Sequence, residues 1–149
     1  EVPKVSPAAA IDGFKALHAA MNRELVLSAH DLSEGGLALC AAEMGFTGEF
    51  GCLLDLDEMP RDPRIYSHET LLFSESPSRL LVEVRPEDES AFLRFFGKGA
   101  KSAPVRRVGS TMANPILKVV GLDGSILLEE PLKELKEAWQ KTLPGMLDS

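Results

Sequence analysis

A short polar segment between residues 30 and 36 carries the side chains of this sequence that could bind a ligand or move a proton. Its members are His30, Asp31, Ser33, Glu34, Gly35 and Gly36. The apolar run over 25–27 predicts a short buried strand before the segment, and residues 37–44 predict a helix after it. A strand, a glycine-containing turn and a helix start together point backbone N–H groups at a bound anion. The segment therefore predicts a turn that faces a phosphate.

Each residue of this turn has a binding interpretation and a structural one. His30 could donate to a phosphate or shuttle a proton, while Asp31 suits magnesium, a ribose hydroxyl or the orientation of His30. The structural interpretation is an aspartate-capped turn beside a histidine whose hydrogen bonds are satisfied. Ser33 could donate to the same anion or cap the helix, and both can hold at once. Gly35 and Gly36 could approach a phosphate closely or pack the helix start tightly against a sheet.

A second polar cluster follows Phe73 and consists of Glu75, Ser76 and Arg79. An arginine at the start of a strand can bind a phosphate or a carboxylate through two parallel hydrogen bonds. The alternative is an internal ion pair between Glu75 and Arg79 that fixes the turn. The sequence has no glycine-rich nucleotide loop with an adjoining lysine, so we expect binding residues in this chain but no catalytic ones.

Helices and strands alternate along the chain, which predicts an α/β or α+β fold: a mixed β-sheet with helices packed on it. Three of the expected helices cover 7–21, 35–44 and 64–72. A fourth begins at residue 86, buries Phe92, Phe95 and Phe96, and ends at Gly97 and Gly99. A fifth begins at residue 131 and reaches Leu143. The expected strands cover 25–29, 51–56, 79–84, 105–109, 116–120 and 125–128. Asp123–Gly124 predicts a hairpin turn. Helical spacing puts Ala10, Phe14, Leu17 and Met21 on one face of the first helix, and Trp139 is expected in the core.

The 149 residues are 44% hydrophobic and carry a net charge of −7, so we expect a single domain over 1–149. The negative charge argues against a nucleic-acid partner, because phosphate backbones are bound by clustered Lys and Arg. No apolar run approaches the roughly 18 residues of a membrane span, so we expect a cytoplasmic protein that makes no membrane contact. Cys40 and Cys52 are expected to be buried free thiols. The chain begins at Glu1, which is typical of a processed product or a piece of a longer protein.

Two motifs together resemble the phosphoribosylformylglycinamidine synthases. The first is AHDLSEGGLA over 29–38, continued by AAEM over 41–44, and the second is LFSESPSRLLV over 72–82. The first motif is shared in looser form by the wider aminoimidazole ribonucleotide synthetase superfamily, and the second narrows the likeness to the synthases. The resemblance extends roughly from Ser6 to Met146.

The resemblance implies that the chain is the C-terminal domain of such a synthase and folds like the C-terminal domains of that superfamily. It implies an ATP-dependent C–N ligase that converts formylglycinamide ribonucleotide into formylglycinamidine ribonucleotide in purine biosynthesis, with ATP and Mg²⁺ as cofactors. The partners that it implies are the remaining domains of the synthase, a glutaminase domain or subunit that supplies ammonia, and small nucleotide ligands. A C-terminal domain alone would form one side of a cleft and be inactive.

The motifs imply a set of residues that bind a phosphate, a nucleotide or the substrate: His30, Asp31, Ser33, Gly35, Gly36, Glu75, Ser76 and Arg79. Pro77 stands where the family usually has glutamine, which weakens the transfer of substrate contacts to that segment. No residue is assigned to a metal. Two alternatives stay open: another superfamily member such as aminoimidazole ribonucleotide synthetase, and a non-catalytic scaffold domain that closes a structural nucleotide cleft.

Overall fold

The computed structural model describes residues 6–96 and 103–142. Its α-helices in these ranges are α1 (Pro7–Met21), α2 (Gly36–Gly48), α3 (His68–Phe73), α4 (Glu89–Leu93) and α5 (Leu132–Thr142). Its strands are β1 (Ser28–Asp31), β2 (Gly51–Asp55), β3 (Leu80–Glu83), β4 (Gly109–Met112), β5 (Ile116–Val120) and β6 (Ile126–Pro131). A short 3-10 helix, Pro86–Asp88, precedes α4. None of the helices in the described ranges is long and apolar enough to cross a membrane.

The strands are divided between a larger and a smaller sheet. The larger sheet has the order β4-β2-β5-β6, with β2 and β5 parallel and the other neighbours antiparallel. The smaller sheet pairs β1 with β3 in antiparallel register. Helices pack on this mixed arrangement, which confirms the predicted α/β class.

The larger core lies where α2 and α3 meet the four-stranded sheet. Its most deeply buried side chains are Leu54, Leu56, Leu117, Val119 and Cys40. Helix α2 contacts α3, α5 and several strands. Because it is enclosed in this way, most of its sides are apolar. The burial of these apolar side chains is the main term that stabilises the fold.

A smaller core lies on the other face of the β1–β3 sheet and contains Leu17, Ala20 and Phe92. Val82 packs against this smaller core while its neighbour Leu81 packs against the larger one, because successive side chains of a strand point to opposite faces. The two-stranded sheet is therefore held between two apolar clusters, and its end is the place where the two sequence motifs meet.

Only part of the expected apolar face of α1 is buried. Leu17 and Ala20 face the smaller core, whereas Phe14 and Met21 are 48% and 43% exposed. The side of α1 that packs is rich in small residues: a Cβ on Gly13 would lie 2.9 Å from the Cβ of Ala103. This close approach requires a small residue at position 13, while Leu17 and Ala20 fill the smaller core.

The first strand begins at Ser28, three residues after the predicted start, and the expected buried strand over 25–27 is wrong. The backbone reaches φ +58° at Glu24, and the N–H of Leu25 donates to the carbonyl of Ala20 at 3.2 Å, so this part of the chain closes α1 instead. The N–H of Leu27 does bond to Glu83 at 2.9 Å, but the side chain of Leu27 is exposed.

Helix α2 continues through Gly45 to Gly48, beyond its predicted end at residue 44. A Cβ on Gly45 would lie 2.8 Å from a methyl carbon of Leu132, so the glycine allows α5 to pack directly on α2. The helix ends at Glu49, which adopts φ +58° and donates its N–H to the carbonyl of Gly45. Packing has overridden the low helix propensity of glycine here.

Helix α3 begins at His68 and not at the predicted residue 64. The side chain of Ser67 accepts the N–H of Thr70 at 3.2 Å and so caps the helix. Asp62 instead accepts the backbone N–H of Arg64 at 2.9 Å and two bonds from its guanidinium, which makes a local turn.

The segment from residue 86 forms the 3-10 helix and then the short α4, with Phe92 buried and Phe95 and Phe96 packed against the smaller core. The predicted terminators Gly97 and Gly99 lie outside the described residues. Strand β4 begins at Gly109 and not at residue 105, although the carbonyl of Val108 already accepts the N–H of Asp55.

The Asp123–Gly124 turn joins β5 to β6 as predicted, with Gly124 at φ +77°. The final helix begins at Leu132, one residue after the predicted start, because Pro131 ends β6. Trp139 is 42% exposed, so its predicted place in the core is wrong. Its ring contacts Phe46 with the centroids 6.1 Å apart. Helix α5 reaches the larger core through Leu132 and Leu135 in its first turn. Leu143 lies outside the described residues.

Candidate functional site

The two polar segments predicted separately, 30–36 and 74–79, meet at one edge of the smaller sheet. In the antiparallel register of β1 and β3, Asp31 lies opposite Leu80. The N–H of Leu32 then donates to the carbonyl of Arg79 at 3.0 Å, which extends the pairing by one bond. The end of β1 and the start of β3 therefore hold both motifs against each other.

Gly36 sits at the point of closest approach between the two segments. A Cβ at this position would lie 2.7 Å from the carbonyl oxygen of Leu72 and 2.9 Å from that of Ser74. Gly36 and its neighbour Gly35 also have φ values of +60° and +74°, where residues with a side chain are strained. The structural interpretation of this glycine, tight packing of a helix start, is therefore supported, and the packed surface is the backbone of the second motif.

A carboxylate of the protein already binds the amide at the start of α2. The N–H of Gly35 donates to Oε1 of Glu75 at 3.0 Å, and the N–H of Gly36 donates to the carbonyl of Ser33 at 3.2 Å. A negative charge at a helix N-terminus is stabilised by the helix dipole. The geometry is thus that of an anion-binding turn, with Glu75 as the anion.

Ser33 does not cap α2, whose N-cap residue is Gly35 without a side-chain bond. The hydroxyl of Ser33 donates to the carboxylate of Asp31 instead. This bond, together with a backbone hydrogen bond and the charge of His30, lowers the pKa of Asp31 below its ordinary value of 3.8. Asp31 is exposed at the surface and is an ionised acceptor at neutral pH.

The imidazole of His30 is held between two elements. Its Nδ1 lies 2.7 Å from the carbonyl oxygen of Asp31, and its Nε2 lies 3.3 Å from a carboxylate oxygen of Glu43 on α2. The backbone carbonyl of His30 accepts a weak bond from the thiol of Cys40 at 3.9 Å. Both ring nitrogens of His30 thus face groups of the protein itself, which agrees with its structural interpretation, yet 37% of its side chain stays accessible.

The guanidinium of Arg79 is turned towards its own loop. It donates to the carbonyl and the hydroxyl of Ser74 at 3.1 and 2.8 Å, and another nitrogen lies 3.9 Å from the sulfur of Met59. Glu75 and Arg79 thus have different partners, so the loop is not closed by the internal ion pair that was one of the two interpretations. Burial lowers the pKa of Arg79. Ser76 lies in the same loop and is half-buried.

The two cysteines are free, and burial removes them from thiolate chemistry. Burial and the negative charge of Glu43 are the leading causes that raise the pKa of Cys40 to about 12. Burial, followed by Glu83, raises the pKa of Cys52 to about 11. Within 6–96 and 103–142, no three His, Cys, Asp or Glu side chains form a group that could hold a metal ion.

All eight residues predicted from the sequence lie in the two segments that meet at the β1–β3 edge. Two residues with a part in this arrangement were not predicted: Glu43, which pairs with His30, and Ser74, which binds Arg79. The helical spacing could have indicated Glu43, because it lies one turn beyond Cys40 on the side of α2 that faces β1. Nothing local indicates Ser74, since its contact depends on the bend of the loop.

The model of the family "AIR synthase related protein, C-terminal domain" matches residues 6–121. The subunit PurL of phosphoribosylformylglycinamidine synthase from Thermobifida fusca is 42% identical over 123 residues, and the one from Lactobacillus helveticus is 38% identical over 138 residues. These alignments cover 83% and 93% of this chain but only 14% and 17% of the two relatives. The chain thus spans a small part of the curated relatives that it matches.

Solved structures from Thermotoga maritima have the same fold. PurLQS aligns with 86% of this chain and 21% of its own, at a TM-score of 0.73 and 25% identity. PurL complexed with ATP aligns with 80% of this chain and 20% of its own, at a TM-score of 0.66 and 25% identity.

Proposed function

Because the chain belongs to the family of AIR synthase related proteins, C-terminal domain, we propose that it is the C-terminal domain of a phosphoribosylformylglycinamidine synthase. The synthase would be an ATP-dependent C–N ligase of purine biosynthesis that converts formylglycinamide ribonucleotide into formylglycinamidine ribonucleotide. The identity to the two PurL relatives over most of this chain supports the proposal.

The part proposed for this chain is one side of a ligand cleft. The observation that carries it is the meeting of the two motif segments, which are 40 residues apart yet joined by the bond from Gly35 to Glu75. In the proposed reaction a phosphoryl group passes from ATP to the amide oxygen of the substrate, and ammonia then displaces phosphate. The chain itself would bind and orient, because it lacks the nucleotide loop that such chemistry needs.

The charges of the site divide the ligand contacts among its residues. Asp31, Glu43 and Glu75 oppose a phosphate, so the guanidinium of Arg79 is the group best suited to one. Asp31 and Ser33 suit a ribose hydroxyl, because an ionised carboxylate accepts the bond that a hydroxyl donates. Glu75 keeps the Gly35 amide occupied until a ligand with a competing acceptor arrives.

The remaining features of the proposal follow from the resemblance. Residues 1–149 would be a single domain that is inactive alone, and ATP and Mg²⁺ would be held largely by the other domains. Those domains and a glutaminase domain or subunit would be its partners, and the T. maritima PurLQS structure supports an assembly of that kind. The protein would be cytoplasmic and would bind small nucleotide ligands, with no nucleic acid or membrane as a partner.

Hydrogen exchange in the full-length synthase tests the cleft directly. Amides over 30–36 and 74–79 should exchange more slowly when formylglycinamide ribonucleotide or ATP is added at saturation. The turn over 121–125, which lies in the four-stranded sheet, is the control and should not change. Unchanged exchange of both motif segments under saturating ligand would remove the proposed role.

A scaffold role is the second candidate, and it is favoured by the Glu75 carboxylate that already satisfies the start of α2. If the domain is a scaffold, ATP alone should slow the amide exchange of the two motif segments. The substitution Arg79→Gln should then lower thermal stability without changing the kcat or KM of the full-length enzyme. If the domain forms one side of a cleft, Arg79→Gln should raise the KM for the ligand that the loop contacts.

The isolated chain should release no phosphate with substrate, ATP, Mg²⁺ and ammonia in either case. Turnover by the chain alone would contradict the proposal that the domain is inactive.

A further inference from the structure

Arg79 is a half-buried cation whose N–H groups are only partly used by the protein. Two oxygens of Ser74 accept from Nη1, the carbonyl oxygen at 3.1 Å and the hydroxyl oxygen at 2.8 Å. The sulfur of Met59 lies 3.9 Å from Nη2, and a thioether is a weak acceptor. Within 6–96 and 103–142, Nε has no acceptor and no carboxylate forms an ion pair with the guanidinium.

The unused side of the guanidinium can be reached from solvent. In the described parts of the chain, no nitrogen of a buried or half-buried side chain is both shielded from solvent and without a hydrogen-bond partner, so Nε is accessible. Nε and Nη2 together can offer two parallel N–H groups to two oxygens of one anion. Glu75, the only carboxylate in the loop over 74–79, is bonded to the N–H of Gly35 and leaves this side open.

Ser74 is itself fixed by its neighbours in the fold. It ends α3, where its N–H donates to the carbonyl of Thr70 at 3.1 Å. Its carbonyl oxygen, which accepts from Arg79, is also the atom that a Cβ on Gly36 would approach to 2.9 Å. Ser74 therefore ties the guanidinium to the end of α3 and to the start of α2, at the place where the two motif segments meet.

We propose that Ser74 is a positioning residue that holds Arg79 by Nη1, so that Nε and Nη2 are aligned to bind one phosphate group of a ligand. The proposal rests on the proposed function, since the phosphate belongs to the substrate of the synthase or to ATP. Ser74 acts only through Arg79. A long side chain loses rotamer freedom when it binds a ligand, and its prior fixation by Ser74 lowers that cost.

Titration calorimetry of the full-length synthase with ATP and with formylglycinamide ribonucleotide tests the proposal. Arg79→Gln should raise the Kd of one of the two ligands by about tenfold or more, and that ligand is the one whose phosphate Arg79 binds. Ser74→Ala removes the hydroxyl bond and should raise the Kd of the same ligand by about fivefold. Ser74→Thr keeps the hydroxyl, so its Kd should stay within about twofold of the wild-type value.

Ser67→Ala is the matched control, because the side chain of Ser67 caps the other end of α3 and makes no hydrogen bond to Arg79. Both serine-to-alanine variants should lower the melting temperature, but only Ser74→Ala should raise a Kd. The double variant Ser74→Ala/Arg79→Gln should have the Kd of Arg79→Gln alone, because the hydroxyl then has no guanidinium to hold. If Arg79→Gln does not fold, Arg79→Lys replaces it in this cycle, since lysine keeps the charge but cannot offer two parallel N–H groups.

The outcomes separate this proposal from the proposed function. The positioning role is overturned if the Kd rises in Arg79→Gln but not in Ser74→Ala, if Ser67→Ala raises it equally, or if the two effects add in the double variant. Each of these results leaves the proposed function in place. Unchanged Kd values in Arg79→Gln, in a synthase whose motif segments are protected by ligand, overturn the phosphate contact of Arg79. Absence of that protection overturns the proposed function instead.

Discussion

The four-stranded sheet and the two-stranded sheet differ in what holds them. Leu54, Leu117 and Val119 of the larger sheet have almost no exposed surface. In β1 and β3, by contrast, every residue is at least partly exposed. The larger sheet is stabilised by burial, while the edge of the smaller one is shaped by backbone contacts and polar bonds.

The larger sheet thus provides stability, and the smaller sheet positions the polar groups of the candidate site. A site needs polar groups that water and ligands can reach, and such groups cannot contribute much apolar burial. The motif segments therefore lie beside a core that is stable without them, and they are fixed to it by a few contacts of defined geometry. Three substitutions with matched controls measure how far this contrast holds.

The largest expected effect is in the larger sheet. Leu117→Ala should lower the free energy of unfolding by about 2–5 kcal/mol, because it leaves a cavity beneath α2. Leu80→Ala, in β3, removes a side chain that is 37% exposed and should cost about 1 kcal/mol. Urea denaturation of both variants gives the comparison. Equal losses would show that the smaller sheet depends on burial as much as the larger one does.

Gly36→Ala should have the next largest effect, and Gly124→Ala is its control. Both glycines have positive φ, but a Cβ on Gly36 would meet the carbonyl of Leu72, whereas Gly124 has nothing within 4 Å. We expect a loss of about 1 kcal/mol at Gly124 from backbone strain and about 2–4 kcal/mol at Gly36 from strain plus collision. Thermal unfolding measures both, and similar values would mean that the close contact between the motif segments is dispensable.

The smallest expected effect is the pH dependence that Ser33 imposes through Asp31. The pKa of Asp31 is lowered, so its contribution to folding is present above its ordinary pKa of 3.8 and is lost as the pH falls through the folded-state value. Ser33→Ala removes the main cause. The stability difference between wild type and Ser33→Ala should therefore be greatest at neutral pH and shrink under acid.

Asp123 and Ser125 repeat the same arrangement in the larger sheet and provide the control. There the backbone N–H of Ser125 also donates to Asp123, at 3.0 Å, so the pKa of Asp123 stays partly lowered in Ser125→Ala. Urea midpoints of wild type and both variants are measured at pH 2 to 7. The difference between wild type and Ser125→Ala should change less with pH than the difference between wild type and Ser33→Ala. The opposite order would contradict the assignment of the Ser33 bond as the main cause.

Short sequence patterns predicted the helix starts and turns whose geometry depends only on neighbouring residues. The proline at the start of α1 and the Asp123–Gly124 hairpin are examples, since their geometry is set by neighbouring residues. The sequence could not show that Gly45 continues a helix, because that depends on the packing of Leu132. The exposure of Trp139 likewise depends on how much of α5 the larger core can cover.

The sequence likewise predicted the parts of the candidate site but not how they fit together. Both motif segments were identified from their residue types and from the resemblance. Their contact was not, since the bond from Gly35 to Glu75 requires the antiparallel pairing of β1 with β3. Glu43 was missed as well, although its position one helical turn beyond Cys40 could have indicated that it faces β1.

The 40-residue separation of Gly35 and Glu75 has a consequence for how the protein is made. Helix α2 can begin to form from its own residues, but the turn before it gains its carboxylate only after α3 has docked and the intervening chain has closed into a loop. Closing such a loop has an entropic cost that must be met before the bond forms. A nascent chain that ends before residue 75 thus contains the whole first motif and still lacks the bonded turn.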